Sequence, residues 1–288
     1  LERSEAQRSP MTPPPTISVL TRAYDTNVDL ARRLAGSMLA QRAEWEWVVV
    51  DDASSYTAGL DEIRRQLGDD PRLKLITHDA NQGVVGATAT ALATATGTFV
   101  ALLNHDDELH PNALAEVAAA IEAVDEVDVI YTDEDKIDQD GRHHELPFFK
   151  PDWSPERLRC QMYLGHLLVI RRTLMQRAGG FRPGYDGSQD YDLALRVTEQ
   201  ARQIHHIPKV LYHCRSAPRS AADRIDTKPT ADDAARVALA DHAERVGLEA
   251  DVVDVEPGVY RLQRHFRDRP APLVSLVVPT RGTSSTVW

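Results

Sequence analysis

The stretch Thr98-Phe-Val-Ala-Leu-Leu-Asn-His-Asp-Asp-Glu-Leu109 decides the reading of this chain. A short apolar run of the kind that forms a buried strand, Phe99 to Leu103, ends abruptly in Asn104, His105, Asp106, Asp107 and Glu108. A buried strand delivers whatever follows it to a fixed point at its carboxyl end, and in open α/β sheets ligands collect in the crevice there. Carboxylate oxygens suit hard cations such as Mg²⁺ and Mn²⁺, which keep one or two protein carboxylates and fill the rest of their shell with phosphate oxygens. The competing explanation is structural. His110, Pro111 and Asn112 open a helical pattern, and carboxylates favour that end of a helix dipole. The segment taken alone leaves both readings open.

Working outward, strands alternate with helices. Ile17 to Thr21 reads as a strand, Val28 to Leu39 as an amphipathic helix, Trp45 to Val50 as a strand and Leu60 to Leu67 as a helix. Leu73 to Thr77 is the next strand, followed by an alanine-rich helix at Gly86 to Thr94, the strand Phe99 to Leu103, a helix at Ala113 to Ala123 and a strand at Val127 to Tyr131. This β-α-β-α rhythm implies an α/β fold with a mainly parallel sheet covered on both faces. After Thr132 the rhythm changes, with a turn at Asp140-Gly141 and an aromatic, proline-bearing stretch from Pro147 to Trp153. A strand at Leu167 to Ile170, a short helix near Leu174, a helix at Tyr191 to Glu199 and strands at Ile204 to Ile207 and Val210 to His213 make the second half mixed α+β. Ala231 to Val246 is an amphipathic helix, with Thr230 as N-cap and Gly247 as its stop.

Composition sets bounds. The 288 residues are 42% hydrophobic and 27% charged, as in ordinary globular proteins, and a formal charge of −11 argues against a nucleic-acid-binding surface. Cys160 and Cys214 are too few for a disulfide framework and lack metal-site spacing, which fits a reducing compartment. There is no apolar run of about 18 residues and no signal-peptide pattern. Pro272-Leu-Val-Ser-Leu-Val-Val-Pro-Thr-Arg281 restates the pattern of Pro15-Thr-Ile-Ser-Val-Leu-Thr-Arg22. With a first residue that is not Met, the repeat leads us to expect a piece of a longer protein carrying a second domain of the same kind.

Acidic residues cluster where strands should end or a helix begin: Asp51-Asp52, Asp106-Asp107, and Asp190 within Gly187-Ser-Gln-Asp-Tyr-Asp192. Each has a bland explanation as a turn or cap. Gathered at one sheet edge they would repel unless a cation or hydrogen-bond donors offset them, and such sites are candidates for function. His213, closing Val210-Leu-Tyr-His213, reads from the strand pattern as a partly buried histidine. Gly83 and Gly86 do not form a dinucleotide fingerprint, and no phosphate-binding G-x-x-x-x-G-K-[ST] occurs.

The segments Ile17-Ser-Val-Leu-Thr-Arg-Ala-Tyr-Asp25, Trp47-Val-Val-Val-Asp-Asp-Ala-Ser54, Asn81-Gln-Gly83, Gly97-Thr-Phe-Val-Ala-Leu-Leu-Asn-His-Asp-Asp107, Gly179-Gly-Phe181 and Gly187-Ser-Gln-Asp-Tyr-Asp-Leu193 occur in this order. As an ensemble the chain resembles the inverting glycosyltransferases of family 2, which have the GT-A fold. The resemblance implies a flexible lead-in over residues 1–15, a GT-A domain over 16–215, a C-terminal helix and linker over 216–270, and the start of a truncated second glycosyltransferase domain over 271–288. It implies transfer of a sugar from a nucleotide-diphosphate sugar to a glycan or lipid-linked acceptor in cell-surface polysaccharide synthesis, in the cytoplasm or peripherally at the inner face of the membrane. By the same resemblance Thr21, Tyr24, Asp52, Asn81 and Gly83 bind the nucleotide, with Tyr24 near the base. Asp106 would hold Mn²⁺ or Mg²⁺ with help from His213, and Asp190 would be the general base.

The sequence departs from the family at several points. Asn104 stands where the metal-binding element usually opens with aspartate, Arg22 where relatives often carry Pro or Thr, Asp25 where they often carry Asn, and Gln189 where glutamate often precedes the base. Asn104 and the truncated second domain support an alternative in which a degenerate, non-catalytic domain scaffolds an active partner. Intact Asp52, Asp106 and Asp190 oppose it. A nucleotidyltransferase would show a glycine-rich basic loop after Leu20, and none is there. Phe148, Phe149, Trp153 and Tyr163 are candidates for stacking on sugar rings or for a packed loop core.

Overall fold

The structure, a computed structural model, describes residues 17–216, 229–265, 273–277 and 279. The lead-in, the side chain of Thr230 and residues 272, 278, 280 and 281 of the repeated segment lie outside these residues. Residues 273–277 have no regular secondary structure. In chain order the first half comprises β1 (Ile17–Ala23), α1 (Val28–Leu39), β2 (Trp45–Asp51), α2 (Ala58–Leu67), β3 (Leu73–Thr77), α3 (Gly83–Thr94), β4 (Phe99–Leu102), β5 (Glu108–Leu109) and α4 (Ala113–Ala123). The second half comprises β6 (Val127–Ile137), β7 (His144–Phe148), α5 (Pro155–Leu158), β8 (Leu168–Arg171), α6 (Arg172–Arg177), α7 (Gln189–Thr198), β9 (Gln203–Arg215), α8 (Pro229–Arg245), β10 (Ala250–Glu256) and β11 (Val259–Arg264).

One sheet runs in the order β3-β2-β1-β4-β8-β6-β9-β5, with β7 paired to β6. β3, β2, β1 and β4 are mutually parallel, and the apolar runs of β1, β2 and β4 are buried on both faces, β2 along its whole length, while the edge strand β3 is partly buried. β8 runs antiparallel to both β4 and β6, while β9 is parallel to β6. One core cluster joins the sheet to α1, α2 and α4, and the other joins it to α3, α7 and α8. Because the chain winds outward from β1 to β3 and then returns beside β1 with β4, the carboxyl ends of β1 and β4 flank the crevice in which α/β proteins bind ligands. Among the described residues no helix is long and apolar enough to cross a membrane.

The expected α/β architecture is present, and the differences have local causes. β6 runs past Tyr131 to Ile137 although Thr132-Asp-Glu-Asp-Lys136 is polar, because its acids are individually matched. Asp133 accepts from the Lys150 amide at 2.8 Å, and Asp135 from His213 at 2.6 Å. The two short strands expected near residues 204–213 are one strand. Its register against β6 slips between Ile207 and Val210, where Pro208 cannot donate to the ladder. The stretch after α8 holds the β10–β11 hairpin, whose Tyr260 is buried and donates its backbone N–H to the Cys160 carbonyl at 2.8 Å.

Candidate active site

The turn after β4 divides its two acids between different tasks. Asp107 is buried, and its carboxylate accepts from Asn104 Nδ2 at 2.9 Å, the Tyr212 hydroxyl at 2.6 Å and the Arg215 N–H at 2.7 Å. It therefore ties the turn to the end of β9. Among the described residues, no side chain donates to the carboxylate of Asp106, which is half-buried at the mouth of a cleft of about 290 Å³. Burial, and then the neighbouring Asp107 charge, push Asp106 above the ordinary carboxylate range. A carboxylate left in that condition gains from a cation, and an oxygen donor accompanied by ligand phosphates fits Mn²⁺ or Mg²⁺. The adjacent His105 is engaged elsewhere, with its Nδ1 2.7 Å from Thr26 Oγ1.

Asp190 lines the same cleft from the first turn of α7. Burial raises its pKa, and the charge of His166 opposes the rise. Among the described residues its one side-chain partner is Gln189 Nε2 at 3.3 Å, and Gln189 Oε1 and His166 Nδ1 are buried without a hydrogen-bond partner. Both residues line the cleft. Unpaired polar atoms at the wall of a cavity are where a ligand's hydroxyl groups would be received. His166 stacks on Tyr212 with ring centroids 4.7 Å apart, and its backbone N–H donates to Glu134 Oε2 at 2.6 Å. Sequence reasoning passed over His166, because the hairpin-rich second half offers no spacing signal that would place it opposite Asp190.

Arg22 is the other residue the sequence undervalued. It lines the cleft from the end of β1, forms an ion pair with Asp52 at 3.0 Å, and lies over the exposed Tyr24 ring at 5.4 Å. Asp52 is fully buried, with its carboxylate also taking the Gln82 N–H at 2.8 Å and His78 Nδ1 at 3.0 Å. Burial alone would raise its pKa. Gln82, His78 and Arg22 together outweigh that and hold it below the usual range. In this arrangement Asp52 fixes Arg22 and the loop before α3. Asn81 belongs to the same loop, donating to the Asp52 carbonyl at 3.1 Å and accepting from the Gly83 N–H at 3.0 Å. Gly83 has φ of 70°, a conformation glycine adopts without strain. Thr21 faces the core, where its hydroxyl accepts from Trp47 Nε1 at 3.0 Å.

The structure thus brings Asp106, Asp190 and Arg22 to one cleft, sets Tyr24 beside it, and uses Asp52, Asn81 and Gly83 to shape its rim. It does not bring His213 there. Successive strand residues face opposite ways, and while Tyr212 meets Asp107, His213 turns to Asp135 and lines a different cleft. Of the aromatic candidates, Tyr163 is fully buried, Phe148 and Trp153 pack on the core, and Phe149 is exposed.

Fold and cleft together define an α/β domain with two sparsely partnered carboxylates, Asp106 and Asp190, lining a cavity at the switch point of its sheet. The chain belongs to glycosyl transferase family 2, whose model matches residues 18–179. It is 39% identical over 266 residues to the O-antigen biosynthesis protein RfbC of Myxococcus xanthus, a match covering 92% of this chain and 21% of that protein. It is 23% identical over 199 residues to the chondroitin synthase of Pasteurella multocida, covering 69% of this chain and 20% of that protein. The chain therefore spans about a fifth of the length of these relatives. The GT-A fold is shared with S. aureus TarS in complex with UDP-GlcNAc, at a TM-score of 0.60 and 21% identity, covering 70% of this chain and 59% of that one.

Proposed function

We propose that this domain transfers a sugar from a nucleoside-diphosphate sugar to a glycan or lipid-linked acceptor in the synthesis of a cell-surface polysaccharide, inverting the anomeric carbon. The observation that carries the reading is the convergence of Asp106 and Asp190 on one cleft, each with little or no protein partner for its carboxylate. The RfbC and chondroitin synthase relatives support the substrate class, and the UDP-GlcNAc complex of TarS supports a nucleotide-sugar donor.

Asp190, with its raised pKa, is suited to take the proton of the acceptor hydroxyl as that oxygen attacks. Attack from the face opposite the leaving diphosphate is a single displacement and inverts the centre. His166 and Gln189 would orient acceptor or sugar hydroxyl groups beside it. Arg22, held by Asp52, presents its guanidinium to the diphosphate, and Tyr24 covers the nucleoside. A divalent ion at Asp106 would neutralise charge developing on the leaving diphosphate. The Asn104 substitution does not favour a degenerate scaffold, since its amide donates to Asp107, which an aspartate could not do. A further glycosyltransferase domain in the full-length protein belongs to the same proposal, supported by the repeated sequence at residues 272–281.

The test is calorimetric titration of a panel of nucleoside diphosphates with and without Mn²⁺, into this protein and into Asp106→Ala. Metal-dependent binding of one nucleotide, lost in the variant, is expected. Binding of none would overturn the reading.

A further inference from the structure

A second cleft, of about 490 Å³, opens where the β6–β7 hairpin meets β9 and the segment after β5. It shares no lining residue with the Asp106 cleft. Three imidazoles, those of His110, His144 and His213, and the carboxylate of Asp135 line it. The register explains the gathering. Asp135 of β6 is paired with His213 of β9, and His144 of β7 is paired with Ile137, two residues further along β6 and therefore on the same face as Asp135.

The hydrogen-bond pattern in the cluster is specific. Asp135 Oδ1 is 2.6 Å from His213 Nδ1 and Asp135 Oδ2 is 2.8 Å from His144 Nδ1. An ionised carboxylate can only accept, so both Nδ1 atoms carry protons and, in the neutral rings, both Nε2 atoms keep their lone pairs. The rings meet edge to face with centroids 4.6 Å apart, so protonating both would set two like charges against one carboxylate. A cation placed among the three groups would take the position of the two Nδ1 protons, each neutral ring shifting to its Nε2–H tautomer, with the Asp135 oxygens as the remaining protein ligands. Ligand atoms of Asp135, His144 and His213 lie within 4.8 Å of one another. Tetrahedral zinc with bonds of about 2.0–2.1 Å sets its ligand atoms roughly 3.4 Å apart, so the widest pair closes by up to about 1.4 Å, a movement that the half-exposed His144 on its hairpin can supply by side-chain rotation.

We propose that Asp135, His144 and His213 form a second cation site, distinct from the one at Asp106 and selective for a borderline ion with zinc-like chemistry. Imidazole donors favour zinc, nickel and copper, whereas a carboxylate oxygen such as that of Asp106, completed by ligand phosphates, favours magnesium and manganese, so the two sites discriminate between ions by donor type. His110, whose ring lies 6.1 Å from that of His213, stands close enough to complete the shell after a side-chain rotation. Occupancy would fasten the mostly exposed β7 to the buried β9, whose end at Arg215 donates to Asp107 and to the Asp106 carbonyl.

The experiment is calorimetric titration of chelator-treated protein with Zn²⁺, and with Co²⁺ followed by its visible absorption, for the wild type, His144→Ala, His213→Gln and Asp106→Ala. One equivalent of Zn²⁺ should bind to the wild type and to Asp106→Ala with the same affinity. In His144→Ala and His213→Gln the affinity should fall by tenfold or more, and the intense Co²⁺ bands of a tetrahedral site should disappear. His144 is half-exposed, so its alanine variant keeps the fold and its result stands even where His213→Gln fails to fold. Wild-type affinity in His144→Ala, loss of Zn²⁺ binding in Asp106→Ala, or no Zn²⁺ bound by the wild type at about 0.1 mM free metal would each overturn the proposal.

Discussion

Replacing Lys150 with methionine should destabilise this domain by about 3–5 kcal/mol, the cost of breaking a buried ion pair by removing one partner. The Lys150 side chain is fully buried, and its Nζ donates to Glu134 Oε2 at 3.0 Å, the Leu164 carbonyl at 2.7 Å and the His166 carbonyl at 2.6 Å. Methionine fills a similar volume but supplies none of these donors. Two carbonyls lose a partner, each worth about 1–3 kcal/mol when left buried, and a mostly buried carboxylate is left without its counter-charge. Glu134 retains the His166 N–H at 2.6 Å and a little solvent exposure, which keeps the total from being the full sum. Against a typical folding free energy of about 5–15 kcal/mol, the loss should lower the melting temperature by roughly 6–20 °C. Urea denaturation gives the free energy, and a Lys150→Met/Glu134→Leu double variant tests the cause. If an uncompensated charge dominates, removing Glu134 as well should recover about 2 kcal/mol. A loss below about 1 kcal/mol in the single variant, or strict additivity in the double, would refute the assignment of Lys150 and Glu134 as the clamp on the His166 segment.

Further outcomes follow from the two acids of the cleft. Asp190→Asn should lower kcat by about 10²–10⁴ while leaving donor binding nearly intact, measured by product formation and calorimetry. Because the raised pKa of Asp190 means that the folded state binds its proton more tightly than the unfolded chain, the ionised form costs stability at neutral pH, and that stability returns as the pH falls through the folded value. Asp190→Asn should therefore raise the melting temperature at pH 7 in a calorimetric scan, and a lowered one contradicts the desolvation reading. The acid limb of kcat/KM should sit above the ordinary aspartate value of about 3.9 and vanish in the same variant. Asp106→Ala should leave stability within about 0.5 kcal/mol, whereas Asp107→Ala, which strips three hydrogen-bond donors of their acceptor, should cost about 3 kcal/mol in urea denaturation.

Much of the fold could be read from the chain because its signals are periodic. α1, β3 and α4 begin and end where apolar spacing places them, the two helices because each buries one continuous face on the sheet. The second half resisted for a physical reason. Thr132 to Lys136 looks like a loop, yet it is strand, because Asp133 and Asp135 find partners in Lys150, His206 and His213, at least 15 residues away in sequence. Local patterning carries no trace of such pairings. β5 is two residues long and β7 is largely exposed, so neither shows an apolar period. The site follows the same division. Asp106 and Asp190 stand out because they follow a strand and open a helix, while His166 is held at the cleft by the Lys150–Glu134 clamp and by stacking on Tyr212, contacts that no local pattern announces.

The departures from the family pattern bear on whether the cleft is a working site. A domain relieved of catalytic duty would lose cleft residues without compensation, since nothing would select for their hydrogen bonds. Here Asn104, Arg22 and Asp25 are each engaged. Asn104 supplies an amide donor to Asp107, replacing a pair of like charges by a 2.9 Å hydrogen bond. Arg22 is matched by the fully buried Asp52, which could not remain ionised at that depth without such a partner. Asp25, with φ of 47°, accepts from the Tyr56 N–H at 2.9 Å and from Ser55, closing the loop beside Tyr24. Gln189 alone keeps an unpaired oxygen, and it faces the cleft. Among the described residues, no side chain donates to the carboxylate of Asp106 and Gln189 alone donates to that of Asp190, which is the arrangement the proposed transfer would use.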